Sequence, residues 1–516
     1  MIKKHSREFI ALALTTLLLS LAVPVGSAQQ QQSDRGFTDV WGARYSPQAE
    51  APAAVEASGT PTTNAILHWN QITIDCSGLD HTPVMPGETR VFGEQVGPCR
   101  AARAVAIVHI AMFEAVNAIT GGFKSFVGMS SANSSASIGA AVAQAGHDAL
   151  VAMFPSQKYI LDPKLADDLA NIPDSGAKNS GINVGRLAAK TTLATRVNDG
   201  SRHAEPRINI DYIPGTGAGI WRQDPISHHP LALGARWNEV TPFVIHSSSQ
   251  YRIPPPPAMG SAEYTAAYNE VKALGGDVTH TPTTRTADQS FIGVFWAYDG
   301  TPSLCAPPRL YNQIAVQIAA QMGTTGINLA RLLALLNVSM SDAGIAIWES
   351  KYFYKLWRPV GGIRESDPGT GPTGSGDGNP NTVGDPTFTP LGAPASNLAG
   401  PNFTPPFPSY PSGHAGFGGA LFEMLRQFYG TDNIPFTFVS DEFNGVTKGN
   451  DGNIRPLIPR SFTTLSQAEE ENGQSRIYLG IHWSFDKTQG IAQGRKISKF
   501  IFKTAFLPAP GKTKTK

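Results

Sequence analysis

Three stretches of the chain carry residue types suited to caging an anion and moving a proton. Lys351 and Arg358 stand seven residues apart; Pro411-Ser412-Gly413-His414 follows a Gly/Pro-rich run and opens an apolar one; Arg476, His482 and Asp486 come last. Arginine forks grip oxyanions bidentately, and a lysine adds a point charge. Ser412 is an apt helix N-cap, Gly413 lets backbone approach a ligand closely, and the free N–H groups of a helix start favour negative charge. His414 falls in the first turn of that helix, where an imidazole can move a proton. Asp486, four residues after His482, can accept a hydrogen bond from one ring nitrogen and leave the other as a lone-pair donor. Of the 12 histidines, only His414 and His482 follow His280. The set suits a tetrahedral oxyanion. Plainer readings stand beside it: an ordinary capped helix at Ser412, a solvated Lys355, and a surface pair of Asp486 with Lys487 or Arg495.

These residues need helices to position them. Seven residues make about two helical turns, so Lys351 and Arg358 are expected on one helix face, with Pro359 ending the helix. Arg476 and His482 on an unbroken helix would lie about 120° apart and flank a ligand. Apolar periodicity predicts helices over Ala101–Ile119, Ser137–Phe154, Val184–Val197, Ala262–Leu274, Arg285–Tyr298, Arg309–Met322, Asn328–Trp357, Gly413–Tyr429, Leu465–Leu479 and Trp483–Phe506. No strand set is evident, so the class is mainly α. His109 and His147 fall inside helices and read as core residues. Residues 200–260, dense in Pro, Gly, Tyr and Trp, read as a loop packed over the helices. The adjacent pair His228-His229 there is poor metal geometry. The long Gly/Pro-rich run 367–406 joins two of the three stretches and reads as a pocket wall.

Bulk composition narrows the class. Hydrophobic residues make up 41% and charged residues 16% of 516, so a globular core is expected. With 41 basic and 40 acidic residues the net charge is +1, which gives no electrostatic footprint for nucleic acid or anionic membranes. Residues 1–28 read as a signal peptide: Lys3, Lys4 and Arg7, an apolar run from Phe9 to Val25, then Gly26-Ser27-Ala28. The protein is therefore expected to be exported, to the periplasm or beyond. Residues 29–62 read as a flexible arm. No later segment reads as a membrane span; the best, 328–348, is interrupted by Arg331, Asn337, Ser341 and Asp342. Export permits a disulfide, for which Cys76–Cys99 is the short-range choice, with Cys305 left as a buried thiol.

The three stretches, in order, resemble the three-part signature shared by vanadium-dependent haloperoxidases and the type 2 phosphatidic acid phosphatases. Phe295-Trp296-Ala297-Tyr298-Asp299-Gly300, Pro307-Pro308-Arg309-Leu310-Tyr311-Asn312-Gln313 and Ser341-Asp342-Ala343-Gly344 are similar to the chloroperoxidase-type branch. The resemblance implies two helical bundles with long Pro/Gly-rich loops: 63–325, with the insertion 200–260, and 326–508, which holds most of the active site, before a basic tail 509–516. It implies a vanadate cofactor whose oxygens are held by Lys351, Arg358, Ser412, Gly413 and Arg476. His482 would ligate vanadium, and His414 would be the acid–base residue. Lys351 would activate bound peroxide, Trp348 and Phe407 would line the halide site, and Asp486 and Asp299 would support His482 and Arg476 from behind. Relatives that prefer bromide carry a histidine at the Phe407 position, so the phenylalanine implies chloride competence. The implied reactants are hydrogen peroxide, halide and a small organic acceptor where one exists, with the oligomeric state open. The alternative from the same signature is a soluble acid phosphatase, with His482 as nucleophile and His414 protonating the leaving alcohol.

Overall fold

The structure, a computed structural model, describes residues 36–48 and 63–510; the expected signal peptide and nearly all of the basic tail lie outside the described residues. Among the described residues, a helical turn at 36–41 is followed by thirteen α-helices: α1 (Thr63–Asp80), α2 (Pro98–Thr120), α3 (Ile138–Met153), α4 (Lys158–Ala170), α5 (Gly176–Ala194), α6 (Ala262–Leu274), α7 (Ala287–Phe295), α8 (Pro307–Gln321), α9 (Gly326–Tyr354), α10 (Pro359–Arg364), α11 (Gly413–Tyr429), α12 (Leu465–Tyr478) and α13 (Ser484–Thr504). Helix accounts for 49% of the described residues, as the mainly α expectation requires. The strands are short antiparallel pairs: β1 (Ser46–Pro47) with β2 (Leu398–Ala399), and β3 (Phe436–Val439) with β4 (Pro459–Phe462). The caps explain many boundaries. Ser137, Ser175, Ser261, Ser412 and Thr464 each accept a hydrogen bond from a first-turn N–H, and Gly430 ends α11 in the left-handed conformation.

The core is continuous across both halves of the chain. Ile107 and Phe113 of α2, Leu333 and Leu336 of α9, Leu421 of α11 and Ile497 of α13 belong to one buried cluster. Each such side chain contributes about 1.5–3 kcal/mol by leaving water. Helices α2 and α9 are long and apolar enough to cross a membrane, although no such span was expected from the sequence. Both are buried inside the protein, so their apolar surface is spent on neighbouring helices. The closest pair is α11 and α13. A Cβ at Gly494 would stand 2.1 Å from the Gly416 carbonyl oxygen. That approach sets the start of α11 against the start of α13, and Ser412 N donates to Asp486 O at 3.0 Å.

Three expectations need correction. The arm 29–62 is not uniformly flexible: residues 36–41 form a helical turn, and Phe37, Trp41 and Tyr45 are buried against Phe403 and Leu398. Cys76, Cys99 and Cys305 are all free and buried, so the Cys76–Cys99 bridge is absent. Helix α9 stops at Tyr354, because Lys355 turns left-handed with φ 53°. Residues 200–260 do lie over the helices without regular elements beyond one short turn, and α9 anchors them. Asp342 accepts from the backbone N–H groups of Phe243, Val244 and Ile245 at 2.6–2.9 Å, and Trp348 Nε1 donates to Leu233 O at 3.0 Å.

Candidate active site

The early end of α9 changes how Lys351 and Arg358 meet. They do not share a helix face. Lys351 sits in the last turn of α9, and the chain then reverses so that Arg358, in extended backbone at the start of α10, comes back toward the same centre. Likewise α12 ends at Tyr478, Gly480 turns with φ 72°, and His482 lies in the turn before α13 rather than on the helix of Arg476. Three helix ends converge with the start of α11. Helix ends leave backbone polar groups and side chains free to point inward, which is how four segments can supply one site.

His482 is fixed at both ring nitrogens. Nδ1 donates to Asp486 Oδ2 at 2.7 Å, and Nε2 accepts from Arg358 Nη1 at 2.8 Å. A carboxylate on Nδ1 sets the tautomer and leaves the lone pair on Nε2. Asp486 Oδ2 also receives Ser409 Oγ–H and the Trp483 N–H. Burial raises the Asp486 pKa to about 6. Burial, then Arg358, Lys351 and Arg476, holds the His482 imidazole well below its usual range, so it is neutral.

The two arginines are buried and incompletely satisfied. Arg358 gives Nε to Phe407 O and Nη1 to Ile481 O, both at 2.9 Å, but its Nη2 has no partner. Burial lowers its pKa to about 9, and only part of that is offset by Asp486. Arg476 gives Nη2 to Asp299 Oδ1 at 2.6 Å, while its Nε and Nη1 have no partner. Asp299 thus stands against Arg476, delivered by Tyr298, which takes the left-handed φ of 46° beyond the end of α7. Burial raises the Asp299 pKa against the opposing pull of Arg476.

Lys351 reaches the cluster but does not face the cavity. Its ammonium donates to the carbonyls of Pro408, Ser409 and Pro411, which uses all three of its N–H groups. In this arrangement Lys351 clamps the loop that carries Ser412. Its Nζ is 5.0 Å from the Phe407 ring centroid, and the Arg358 guanidinium carbon 4.9 Å, so that ring faces two cations.

Ser412 caps α11 by accepting from Ala415 N at 3.4 Å and keeps its hydroxyl proton to give. Gly413 is needed for closeness: a Cβ there would lie 3.2 Å from the Trp348 ring. His414 Nε2 contacts the Ala297 carbonyl, which can only accept, so the proton sits on Nε2 and Nδ1 carries the lone pair. Asp299 Oδ1 is 4.0 Å from the same ring. Burial, then Arg476, pushes the His414 pKa well below its usual range.

These groups open onto a narrow cavity of about 50 Å³, lined by His414, Arg476, His482, Gly413, Trp348 and Phe407. The Trp348 and Phe407 ring centroids are 4.8 Å apart at 57°. Among the lining residues that sequence reasoning did not place here are two histidines and a tryptophan. Trp41 comes from the N-terminal segment, His229 from the loop insertion, and His81 from the residue after α1. The Trp41 and His229 ring centroids lie 5.1 Å apart at a tilt of 53°. The signal for Trp41 was the aromatic spacing Phe37, Trp41, Tyr45, one residue per turn. Of the wall expected from 367–406, Phe403, Pro405 and Pro406 line the cavity.

Comparison with known proteins agrees with this construction. A family model described as the VCPO second helical-bundle domain matches residues 331–508, the segment that supplies most of the cage. A vanadium chloroperoxidase of Curvularia inaequalis is 30% identical over 504 residues, covering 82% of this chain and 79% of its own. A solved structure described as the first bacterial vanadium-dependent iodoperoxidase superposes with a TM-score of 0.68 at 21% identity, covering 89% of this chain and all of the other. A holo-type bacterial vanadium-dependent chloroperoxidase gives 0.60 at 15% identity, covering 81% and 94%. The structures bear on the fold and the sequence match on descent, and by that match the chain belongs to the vanadium-dependent haloperoxidase family.

Proposed function

We propose that the cage holds vanadate and that the enzyme uses hydrogen peroxide to oxidise halide, chloride included, to hypohalous acid. One observation carries the reading. Three buried guanidinium nitrogens, Arg358 Nη2 with Arg476 Nε and Nη1, find no acceptor among the described residues, beside an imidazole whose Nε2 lone pair is set by Asp486 and now accepts from Arg358 Nη1. A buried donor left unpaired costs about 1–3 kcal/mol, so three at one place fit an anion with several oxygens. Vanadate matches that donor set. Arg358, Arg476, the Ser412 hydroxyl and the first-turn backbone of α11 would hold its oxygens, and His482 Nε2 would be its nitrogen ligand.

When bound, vanadium(V) supplies Lewis acidity toward peroxide without changing oxidation state. The rest belongs to the chain. The fixed cations offset the anion's charge with no reorganisation. His414, neutral through Nε2–H on Ala297 O, offers Nδ1 to take a proton from incoming peroxide and to return it to the departing oxygen. Negative charge in the cage offsets the push of Arg476, Arg358 and Lys351 on His414 and brings its pKa back toward working range. Asp299 holds Arg476 by Nη2, so its other nitrogens stay aimed at the anion. Trp348 and Phe407 provide an apolar wall that strips water from a halide beside the cage.

The test is direct. Protein loaded with orthovanadate should halogenate a phenolic dye in the presence of peroxide and bromide or chloride. Inhibition by vanadate of p-nitrophenyl phosphate cleavage, with no halogenation, would instead identify a phosphatase.

A further inference from the structure

Two contacts with the cage come from one short segment after α7. The Ala297 carbonyl meets His414 Nε2, and Asp299 Oδ1 takes Arg476 Nη2 at 2.6 Å. Tyr298 stands between them, wholly buried, with a φ of 46°. For a bulky residue that backbone region is strained, and it persists only where the surroundings over-determine it. Such strain beside a site is a reason to ask what holds it.

The hold comes from the turn Asp441–Phe443, between β3 and β4, which grips Tyr298 at both ends. Glu442 Oε1 accepts the Tyr298 N–H at 3.4 Å, and the Asp441 N–H donates to Tyr298 Oη at 2.6 Å. The phenol in turn donates to Gln313 Oε1 at 3.1 Å, and Gln313 Nε2 donates to Asp441 Oδ2 at 3.0 Å. Ser440 Oγ–H reaches the Phe295 carbonyl, at the last residue of α7, at 2.7 Å. Glu442 is itself fixed from behind: Oε2 receives Ser396 Oγ–H at 2.6 Å and Arg455 Nη1 at 2.5 Å. The carboxylate is wholly buried, and burial raises its pKa to about 7 against the pull of Arg455. A buried ion pair adds little to stability, since apolar side chains in its place are often neutral or better. What this pair does is aim one carboxylate oxygen at one backbone N–H.

We infer that Glu442 is a positioning residue of the active site: through the Tyr298 N–H it holds residues 297–299 so that the Ala297 carbonyl keeps the proton on His414 Nε2 and Asp299 keeps Arg476 aimed at the anion. Glu442 does not line the cavity, so its action passes through Tyr298. The half that concerns Arg476 rests on the proposed cage reading; the half that concerns the His414 tautomer does not.

The experiment compares two double variants that both remove the charge pair and differ in one acceptor oxygen. Glu442→Gln with Arg455→Met keeps an amide oxygen for the Tyr298 N–H and gives the amide nitrogen Ser396 Oγ to bond. Glu442→Leu with Arg455→Met offers that N–H nothing. The first readout is the His414 tautomer in metal-free protein, from the ring-nitrogen NMR signals of isotope-labelled histidine, assigned by their loss in His414→Gln. The second is the orthovanadate dissociation constant by equilibrium dialysis. The wild type and the glutamine variant should show a single tautomer, Nε2–H, and similar affinities. The leucine variant should show a mixture of tautomers and bind vanadate about 10-fold more weakly. Should the leucine variant not fold, Tyr298→Phe leaves the Glu442–Arg455 pair whole and removes the phenol's hold on the turn; it should move both readouts in the same direction by less. Wild-type readouts in the leucine variant, or in Tyr298→Phe where that stands in for it, overturn the inference. So does an equal loss in both double variants, which would assign the effect to the charge pair and not to the acceptor. Failure of the wild-type protein to bind vanadate would overturn the cage reading and the Arg476 half with it, while the tautomer comparison would still decide the His414 half.

Discussion

Two groups of buried arginines show what separates a structural ion cluster from a functional one. Arg309, in the first turn of α8, gives Nε to Asp441 at 2.7 Å and Nη1 to Ile74 O and Asp75 at 2.8 and 2.9 Å. Burial disfavours its charge, yet Asp441 and Asp75 more than restore it, and its pKa is pushed up. Arg358 shows the reverse: burial wins and its pKa falls to about 9. The same side chain in the same degree of burial is thus satisfied in one place and left with empty donors in the other. The first arrangement holds α1, α8 and the 441 turn together. The second keeps a charge waiting for an anion that the chain does not supply.

The sharpest break would come from removing each charge in turn. Arg309→Met leaves Asp441 and Asp75 without their shared cation, each with only a glutamine amide as side-chain donor, and should cost about 3–5 kcal/mol in urea unfolding. Arg476→Met combined with Asp299→Asn removes a charge pair and its unused donors together, so it should be neutral or stabilising by up to about 4 kcal/mol, while vanadate binding is lost. Equal destabilisation of the two variants would erase the distinction drawn above. Next comes chemistry without binding. His414→Gln should retain vanadium by elemental analysis and lose about 10²–10⁴-fold in halide oxidation. Activity near wild type would remove His414 from proton transfer.

Asp486→Asn tests the support of His482. It should lower vanadium affinity by about 10–100-fold, measured by equilibrium dialysis, with helix content intact. The smallest effect is expected at Phe407, whose ring faces Arg358 and Lys351 in place of a counter-ion. Phe407→Leu should reduce the stability of the metal-free protein by about 1 kcal/mol, and saturating vanadate should restore most of the loss. A deficit that persists unchanged with vanadate would mean that the ring serves packing alone.

Much of the positioning was legible because its signals are local. Ala262–Leu274 and Gly413–Tyr429 have the predicted bounds, since serine caps at Ser261 and Ser412 and glycine stops at Gly275 and Gly430 act within one turn. Helices α1 and α4 lacked such signals. The first mixes β-branched residues with Gly78, and the second carries Pro163 in its interior. The end of α9 was hidden for another reason: a lysine, not a glycine, takes the left-handed turn, and tertiary packing decides that. The cage residues were identifiable by type and order, but the direction of Lys351 was not. Its carbonyl partners lie 57–60 residues away, beyond any spacing rule. Trp41 and His229 were obscured by the composition of the segments that carry them, which resembles linker and loop.

The clamp at Asp342 and the cage at Lys351 are points on one uninterrupted rod. Trp348 and Lys351 follow Asp342 on α9 at fixed rise and rotation, about 1.5 Å and 100° per residue. The insertion that Asp342 and Trp348 hold by its backbone is therefore indexed to the catalytic loop through the screw of that helix. Inserting or deleting one residue between 343 and 347 would rotate every downstream side chain by over a quarter of a circle relative to the clamp, whereas the exposed turn at 371–375 lies outside any such gearing and can change length. Natural variation in length should accordingly spare the first interval and accumulate in the second.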